Sequence, residues 1–283
     1  MYKSLLTDMI GIDTSLEGAI ALAEKHGFAG VDLGCRQLRA LQNDRVQTIK
    51  ESLTQARLRV GFWQLAPHHL SVDESEWREE LTALPALAPT AQSLGCTRAM
   101  IVVLPFHETL EFKANLALHV QRVSELASIL SDHGVRLGLE YIAPETRRKG
   151  RGHAFAHDLR GVLDLCGAVD ELDVGVLLDS FHWHCAREST SDIRRLRAGQ
   201  VVTVHINDAV AVRPIAEQEA FERELPRRNG VIDIDGFLAA LAHIGYDGPV
   251  TCEPMSRALS DMPADEAVAR VSSAMDEVLG PHF

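Results

Sequence analysis

The stretch VGVLLDSFHWHCA, residues 174 to 186, decides the fold. Its first six residues run apolar without alternation until Asp179, the pattern of a strand covered on both faces. Such strands belong to parallel sheets flanked by helices, where a polar group can open only at the strand's end. Here that end carries a carboxylate, and His182 and His184 follow within five residues.

Working outward, similar runs recur along the chain. KSLLT (3–7), GVDLG (30–34), RVGFWQL (59–65), RAMIVVLP (98–105), VRLGLEYI (135–142), VGVLLDS (174–180), QVVTVHIND (200–208) and GPVTCEP (248–254) make eight strands. Amphipathic segments at 15–26, 40–57, 74–94, 111–133, 157–169, 190–198, 235–243 and 264–279 lie between them. Several end in glycine just before the next strand, as in HGFAG, SLGC, DHGV and IGYDG, which suits the left-handed residue that closes a helix. Eight alternating units predict an α/β fold: a (β/α)8 TIM barrel, one domain over 1–283, with its active site at the C-terminal ends of the strands. A doubly wound sheet would carry a glycine-rich phosphate turn after its first strand, and LLTDMIGID has none. The long segments 143–156 and 207–233 both follow strand ends and so belong to the barrel mouth.

Composition agrees. Of the 283 residues 46% are hydrophobic and 5% aromatic, the aliphatic balance of parallel strands under helices. A formal net charge of -12 repels a phosphate backbone and excludes a nucleic-acid partner as the expectation. The five scattered cysteines contain no CxxC, which fits a reduced, cytoplasmic protein. MYKSLLTDMIG lacks the apolar core and cleavage site of a secretory leader, and no apolar run approaches the ~20 residues that span a bilayer, so no membrane partner is expected.

The strand ends carry the chemistry. VRLGLE ends in Glu140, VGVLLD in Asp179, VVTVH in His205 with Asn207 and Asp208 beyond, and PVTCE in Glu253. Four successive strands thus deliver an ionisable group at one level, toward the barrel axis. A lone Asp at a strand end is ordinarily a helix cap, but four together are not explained by four independent caps. Carboxylates so close cannot all ionise without a cation. Three carboxylates and an imidazole suit one divalent ion such as Mn2+, Co2+ or Mg2+.

The set LEYIAP, LLDSFHW, VHINDA and CEPMS resembles the sugar phosphate isomerase/epimerase superfamily of xylose-isomerase-like barrels, whose relatives include ketose 3-epimerases, hydroxypyruvate isomerase and inosose dehydratase. The resemblance implies that Glu140, Asp179, His205 and Glu253 bind one divalent metal, with Mn2+ first and Co2+, Mg2+ or Zn2+ as substitutes. It also implies that Glu140 and Glu253 are the paired acid and base, working through a metal-stabilised cis-enediolate, and that His182 in the Asp-x-x-His element contacts substrate oxygen. Within RELPRRNGVID it points to Arg223 as a substrate contact, with Arg227 and Arg228 as rivals. His184 reads as a rim or packing residue, because alternate residues entering a helix diverge.

Earlier strand ends add Trp63, positioned to stack on a sugar face, with Gln64, His68, His69 and His107 as further pocket residues. The basic run ETRRKGRGH (145–153) is either a solvated loop or a lid that carries charge to an anionic substrate. The expected function is a metal-dependent isomerase or epimerase of a keto-sugar or related polyol ketone in carbohydrate metabolism. A lyase of the inosose-dehydratase or 3-keto-glycoside type is the alternative. An apurinic-endonuclease-like repair enzyme would share much of the ligand set but needs a further Asp-x-His pair, which the chain lacks. The small-molecule keto-sugar is the expected partner, and by analogy with relatives a homo-oligomer is expected.

Overall fold

The computed structural model describes residues 1–169 and 173–280. Its eight barrel strands are Tyr2–Leu5, Gly30–Leu33, Arg59–His69, Arg98–Val103, Arg136–Tyr141, Val174–Asp179, Val201–Ile206 and Pro249–Cys252. They pair in sequence order, and the eighth closes on the first in parallel register, with Tyr2 opposite Pro249 and Ser4 opposite Thr251. The fold is therefore a single-domain TIM barrel. Helices Leu16–Lys25, Glu74–Ser93, Phe112–Ser131, Leu159–Ala168, Ile234–His243 and Ala264–Leu279 form the outer ring.

Three details depart from the sequence expectation. The third strand runs on to His69 instead of ending at Leu65. The segment 40–57 divides into Cys35–Ala40 and Asn43–Gln55, because Leu41 and Gln42 are extended. A two-stranded antiparallel ribbon, Phe106–His107 against His153–Ala154, joins the loops after the fourth and fifth strands.

The core has two layers because strand residues alternate. Outward-facing side chains such as Trp63, Leu139 and Leu178 pack against the helix ring, where Trp77 and Phe237 are fully buried. Inside the barrel Leu6, Phe62, Met100 and Leu177 form a small separate plug beneath the mouth. A buried polar knot ties the closure together: Asp32 accepts from Ser4 Oγ at 2.6 Å, Thr251 Oγ1 at 2.6 Å and the Phe62 amide at 3.2 Å. Burial still pushes its carboxyl up to about 6. Gly61 makes room for it, since a Cβ there would lie 2.0 Å from Asp32 Oδ1.

A second buried titratable group shapes the acid stability. His119 lies among Phe155, at 4.6 Å between rings, the Asn115 carbonyl at 2.9 Å and Ser71 Oγ at 3.5 Å, with Arg122, His69 and His107 as the nearby cations. Burial pushes its pKa from 6.5 down to about 4. As pH falls through 6.5 the unfolded chain takes up a proton that the folded protein accepts only near 4, so stability is lost across that window. The loss is on the order of 3 kcal/mol at 1.36 kcal/mol per unit. Urea midpoints at pH 7 and 4.5 should show His119→Gln losing less on acidification than the parent; equal losses would show that another group sets the acid limb. Among the described residues no helix is long and apolar enough to cross a membrane.

Candidate metal centre and active-site cavity

Glu140, Asp179, His205 and Glu253 converge at the mouth, as their strand-end positions predict. Each offers one ligand atom, and these atoms lie within 4.8 Å of one another, all buried. His205 Nδ1 sits 3.4 Å from Glu253 Oε2, 3.6 Å from Glu140 Oε1 and 3.9 Å from Asp179 Oδ2. These separations are too long for good hydrogen bonds but close to the spacing of neighbouring ligands around one ion at about 2.1 Å. Glu140 Oε1 and both ring nitrogens of His205 are buried without a hydrogen-bond partner. Buried polar groups are normally paired, so orphaned donors and acceptors that face one another fit a divalent cation.

The electrostatics carry the strain of an acid cluster. Burial first, and then the charge of Glu253, push the Glu140 carboxyl up to about 7. Burial opposes ionisation of Asp179 too, but Arg223, His182 and His205 hold it down to about 2. His205 is raised well above the usual imidazole value, since Glu253 and Glu140 outweigh the desolvation that lowers it.

Asp179 serves two ends at once. Its Oδ1 accepts from the amides of Phe181 at 2.6 Å and His182 at 3.0 Å, capping the short helix Ser180–Cys185. Its Oδ2 faces the cluster and takes Asn207 Nδ2 at 3.2 Å and Arg223 Nη1 at 3.0 Å. The ordinary cap and the ligand are thus two oxygens of one carboxylate. Asn207 also donates to the Glu253 carbonyl at 3.3 Å, so it orients two of the four candidate ligands.

Arg223 is fully inside the site. Nη1 reaches Glu253 Oε2 at 2.7 Å as well as Asp179, the guanidinium lies 4.7 Å over the Phe181 ring, and Nη2 is 3.3 Å from His182 Nε2. His182 is buried, and burial holds its pKa down to about 3, so the ring is neutral. The Ala143 amide approaches its Nδ1 at 3.4 Å. A neutral ring has one accepting nitrogen, so it can accept from Ala143 or from Arg223 but not from both.

What delivers Arg223 is the loop 207–233, and Asp208 organises it. This carboxylate, fully buried, accepts from the amides of Asn229 and Gly230 at 2.7 Å, Ala209 at 2.9 Å, Ile232 at 3.0 Å and Val231 at 3.1 Å. Its backbone also pairs with Glu224, next to Arg223, through bonds of 2.8 and 2.9 Å. Sequence reading placed Asp208 just beyond the strand and missed this role, because four of the five amides it gathers lie more than twenty residues away.

Above the cluster opens a cavity of about 570 Å³, lined by Glu140, Glu253, His182 and Arg223 and by Gln64, His68 and His69. Trp63 does not line it. At 2% exposure it lies in the outer core, and the alternation that turns Phe62 inward and brings Gln64 to the cavity turns Trp63 toward the helices. His107 also stands off the cavity, in the ribbon, where its Nδ1 accepts from the amides of Leu110 at 3.0 Å and Thr109 at 3.2 Å. His184 is outside the lining as well. Among the described residues the four-residue group is the only cluster able to hold a metal, and neither His69 nor His107 joins one. The trinuclear arrangement of a repair endonuclease is therefore absent from them. Met9, Arg36, Phe221 and Met255 join the wall beyond sequence expectation, brought in by loops whose paths no local pattern encodes, and Arg147 joins it from the basic run 145–153.

Residues 20–277 match the family described as xylose isomerase-like TIM barrel. The inosose isomerase of Halalkalibacterium halodurans is 26% identical over 212 residues, 75% of this chain and 72% of that protein. A xylose isomerase domain protein from Alicyclobacillus acidocaldarius superposes with a TM-score of 0.87 at 27% identity, covering 99% of this chain and 98% of its own. The IOLI protein, whose crystal structure contains a zinc atom, gives 0.83 at 20% identity over 100% and 99% of the two chains.

Proposed function

The chain belongs to the xylose isomerase-like TIM barrel family, and from that premise we propose that it is a divalent-metal-dependent isomerase or epimerase of a keto-sugar or related polyol ketone. The observation that carries the reading is the convergence of Glu140, Asp179, His205 and Glu253 beneath a cavity large enough for one monosaccharide. Likeness to an inosose isomerase, which is named for a cyclic polyol ketone, supports the substrate class. The zinc of the IOLI protein supports a metal, with Mn2+ the first ion to test here.

Glu140, Asp179, His205 and Glu253 would hold the ion, which supplies a Lewis acid that polarises the substrate's carbonyl and adjacent hydroxyl oxygens. Proton abstraction beside a carbonyl needs a base that ionises near working pH. Glu140 would be that base: burial and Glu253 raise its carboxyl in the metal-free protein, and a bound cation would oppose that rise and keep it ionised. Glu253, at the end of a strand three places further round the barrel, is the complementary acid that returns the proton to the neighbouring carbon or to the other face. His182 and Arg223 flank these carboxylates and would orient substrate oxygens. Arg223 also offsets the negative charge of Asp179 and Glu253.

Incubation of Mn2+-loaded protein with a panel of keto-sugars and inososes in deuterated water, followed by NMR, tests the reading. The expected result is deuterium at the carbon beside the carbonyl together with a new ketose, aldose or inosose. Release of water or an aglycone would reassign the protein as a lyase, and an absence of exchange on every sugar would sink both. Chelation is expected to remove activity and Mn2+, Co2+, Mg2+ or Zn2+ to restore it; turnover indifferent to chelator would rule the metal out.

A further inference from the structure

Of the three arginines among the described residues that line the cavity, one has no carboxylate partner. Arg223 lies against Asp179 and Glu253, His205 against Glu140 and Glu253, and at the rim Arg36 lies 3.8 Å from Asp8. Among the described residues Arg147 has no carboxylate within 4.0 Å, and its guanidinium donates no hydrogen bond to the protein, although it lines the same cavity.

Arg147 is nonetheless held in place. It ends the short helical turn Glu145–Arg147, and its neighbour Thr146 donates from Oγ1 to the Gln218 carbonyl at 2.8 Å across the mouth. Gln218 is itself buried, its side chain bonded to both backbone groups of Val210 and to the Arg213 carbonyl. The guanidinium lies 5.0 Å over the ring of Phe221, which is 61% exposed. Stacking engages the face of a guanidinium and leaves its in-plane N–H donors free, the arrangement that recognises an oxyanion in bidentate fashion.

Much of the remaining lining of this cavity is apolar. Met9, Met100, Val102, Leu104 and Ile142 offer no side-chain hydrogen-bonding group to a hydroxyl apart from weak sulfur acceptors. An anionic substrate would therefore meet a free cation in this cavity, in a protein whose net charge of -12 would otherwise repel it.

We propose that Arg147 is an anion subsite, so that the substrate is a keto-sugar or polyol ketone bearing a carboxylate or phosphate ester. This rests on the catalytic reading of the same cavity. Calorimetric titration of the Mn2+-loaded protein with D-fructose, D-fructose 6-phosphate and D-fructuronate tests it. At least one anionic sugar is expected to bind about 10-fold or more tighter than D-fructose, as charge-assisted hydrogen bonds imply. Which of the two is preferred separates phosphate ester from carboxylate. Arg147→Gln should bring the anionic-to-neutral affinity ratio close to one, and Arg147→Lys should restore part of it by charge alone. Absence of an anionic preference in the parent, or its survival in Arg147→Gln, overturns the proposal. Deuterium exchange separates the two failures. Exchange on neutral ketoses without an Arg147-dependent anionic preference removes the subsite and leaves the isomerase. No exchange on any sugar removes the isomerase, whatever the binding ratio.

Discussion

Glu140→Gln and Glu253→Gln are each expected to lower kcat by about a thousandfold or more while leaving the barrel folded. General acid–base groups contribute roughly 10²- to 10⁴-fold, and each glutamate is also a candidate ligand whose loss weakens metal binding. The amide cannot take the substrate proton, and it presents one accepting oxygen where the carboxylate has two. In the metal-free protein Glu140→Gln should cost no stability and should be seen as a gain in Tm, whereas Glu253→Gln loses the buried ion pair with Arg223. The reason is that Glu140 is buried beside Glu253 with an unpaired oxygen, and a neutral amide relieves that repulsion. The experiment combines single-turnover kinetics, metal content and thermal melts on both variants. Retention of kcat within about tenfold by either, at full metal occupancy, would end the paired-glutamate mechanism.

Asp208→Ala should be the most damaging change outside the cluster. It removes a fully buried carboxylate that accepts from the amides of Ala209, Asn229, Gly230, Val231 and Ile232. Five backbone donors, those of Ala209 and Ile232 in buried residues, would be left to find water or each other. Breaking one side of such a network costs about 3–5 kcal/mol. Because the backbone of Asp208 pairs with Glu224, the disturbance passes directly to Arg223 and from it to Asp179 and Glu253. Loss of Arg223's placement is expected to lower kcat/KM by about 100-fold, on the scale of a misplaced positioning group. Asp208→Asn keeps one accepting oxygen and should fall between the two. Urea unfolding and steady-state kinetics on both variants check this. A stability loss below about 1 kcal/mol for Asp208→Ala would mean that the loop is held by other contacts.

The fold and the four-residue cluster were legible in the sequence for one reason: both follow from period and position along single strands. An unbroken apolar run marks a strand buried on both faces, and its terminal residue must emerge at the barrel mouth. Glu140, Asp179, His205 and Glu253 all obey this rule. Trp63 shows how far the rule reaches. It sits on the correct strand, yet one residue of parity sends it to the helix layer and brings Gln64 to the cavity. Parity was present in the sequence, but in a run apolar on both faces composition does not reveal which face is inward.

Composition and period by themselves determined the eight alternating units, the closed barrel and the level at which the ionisable groups gather, because those depend on local geometry repeated along the chain. Tertiary structure alone decided that Asp179 divides its oxygens between a helix cap and the cluster, and that Asp208 collects amides from the far end of its loop. It alone turned Arg223 inward onto two carboxylates and left Arg147 without one. Each of these depends on where a loop without internal periodicity returns, and that is set by burial and hydrogen bonding between segments distant in sequence, which no local pattern records.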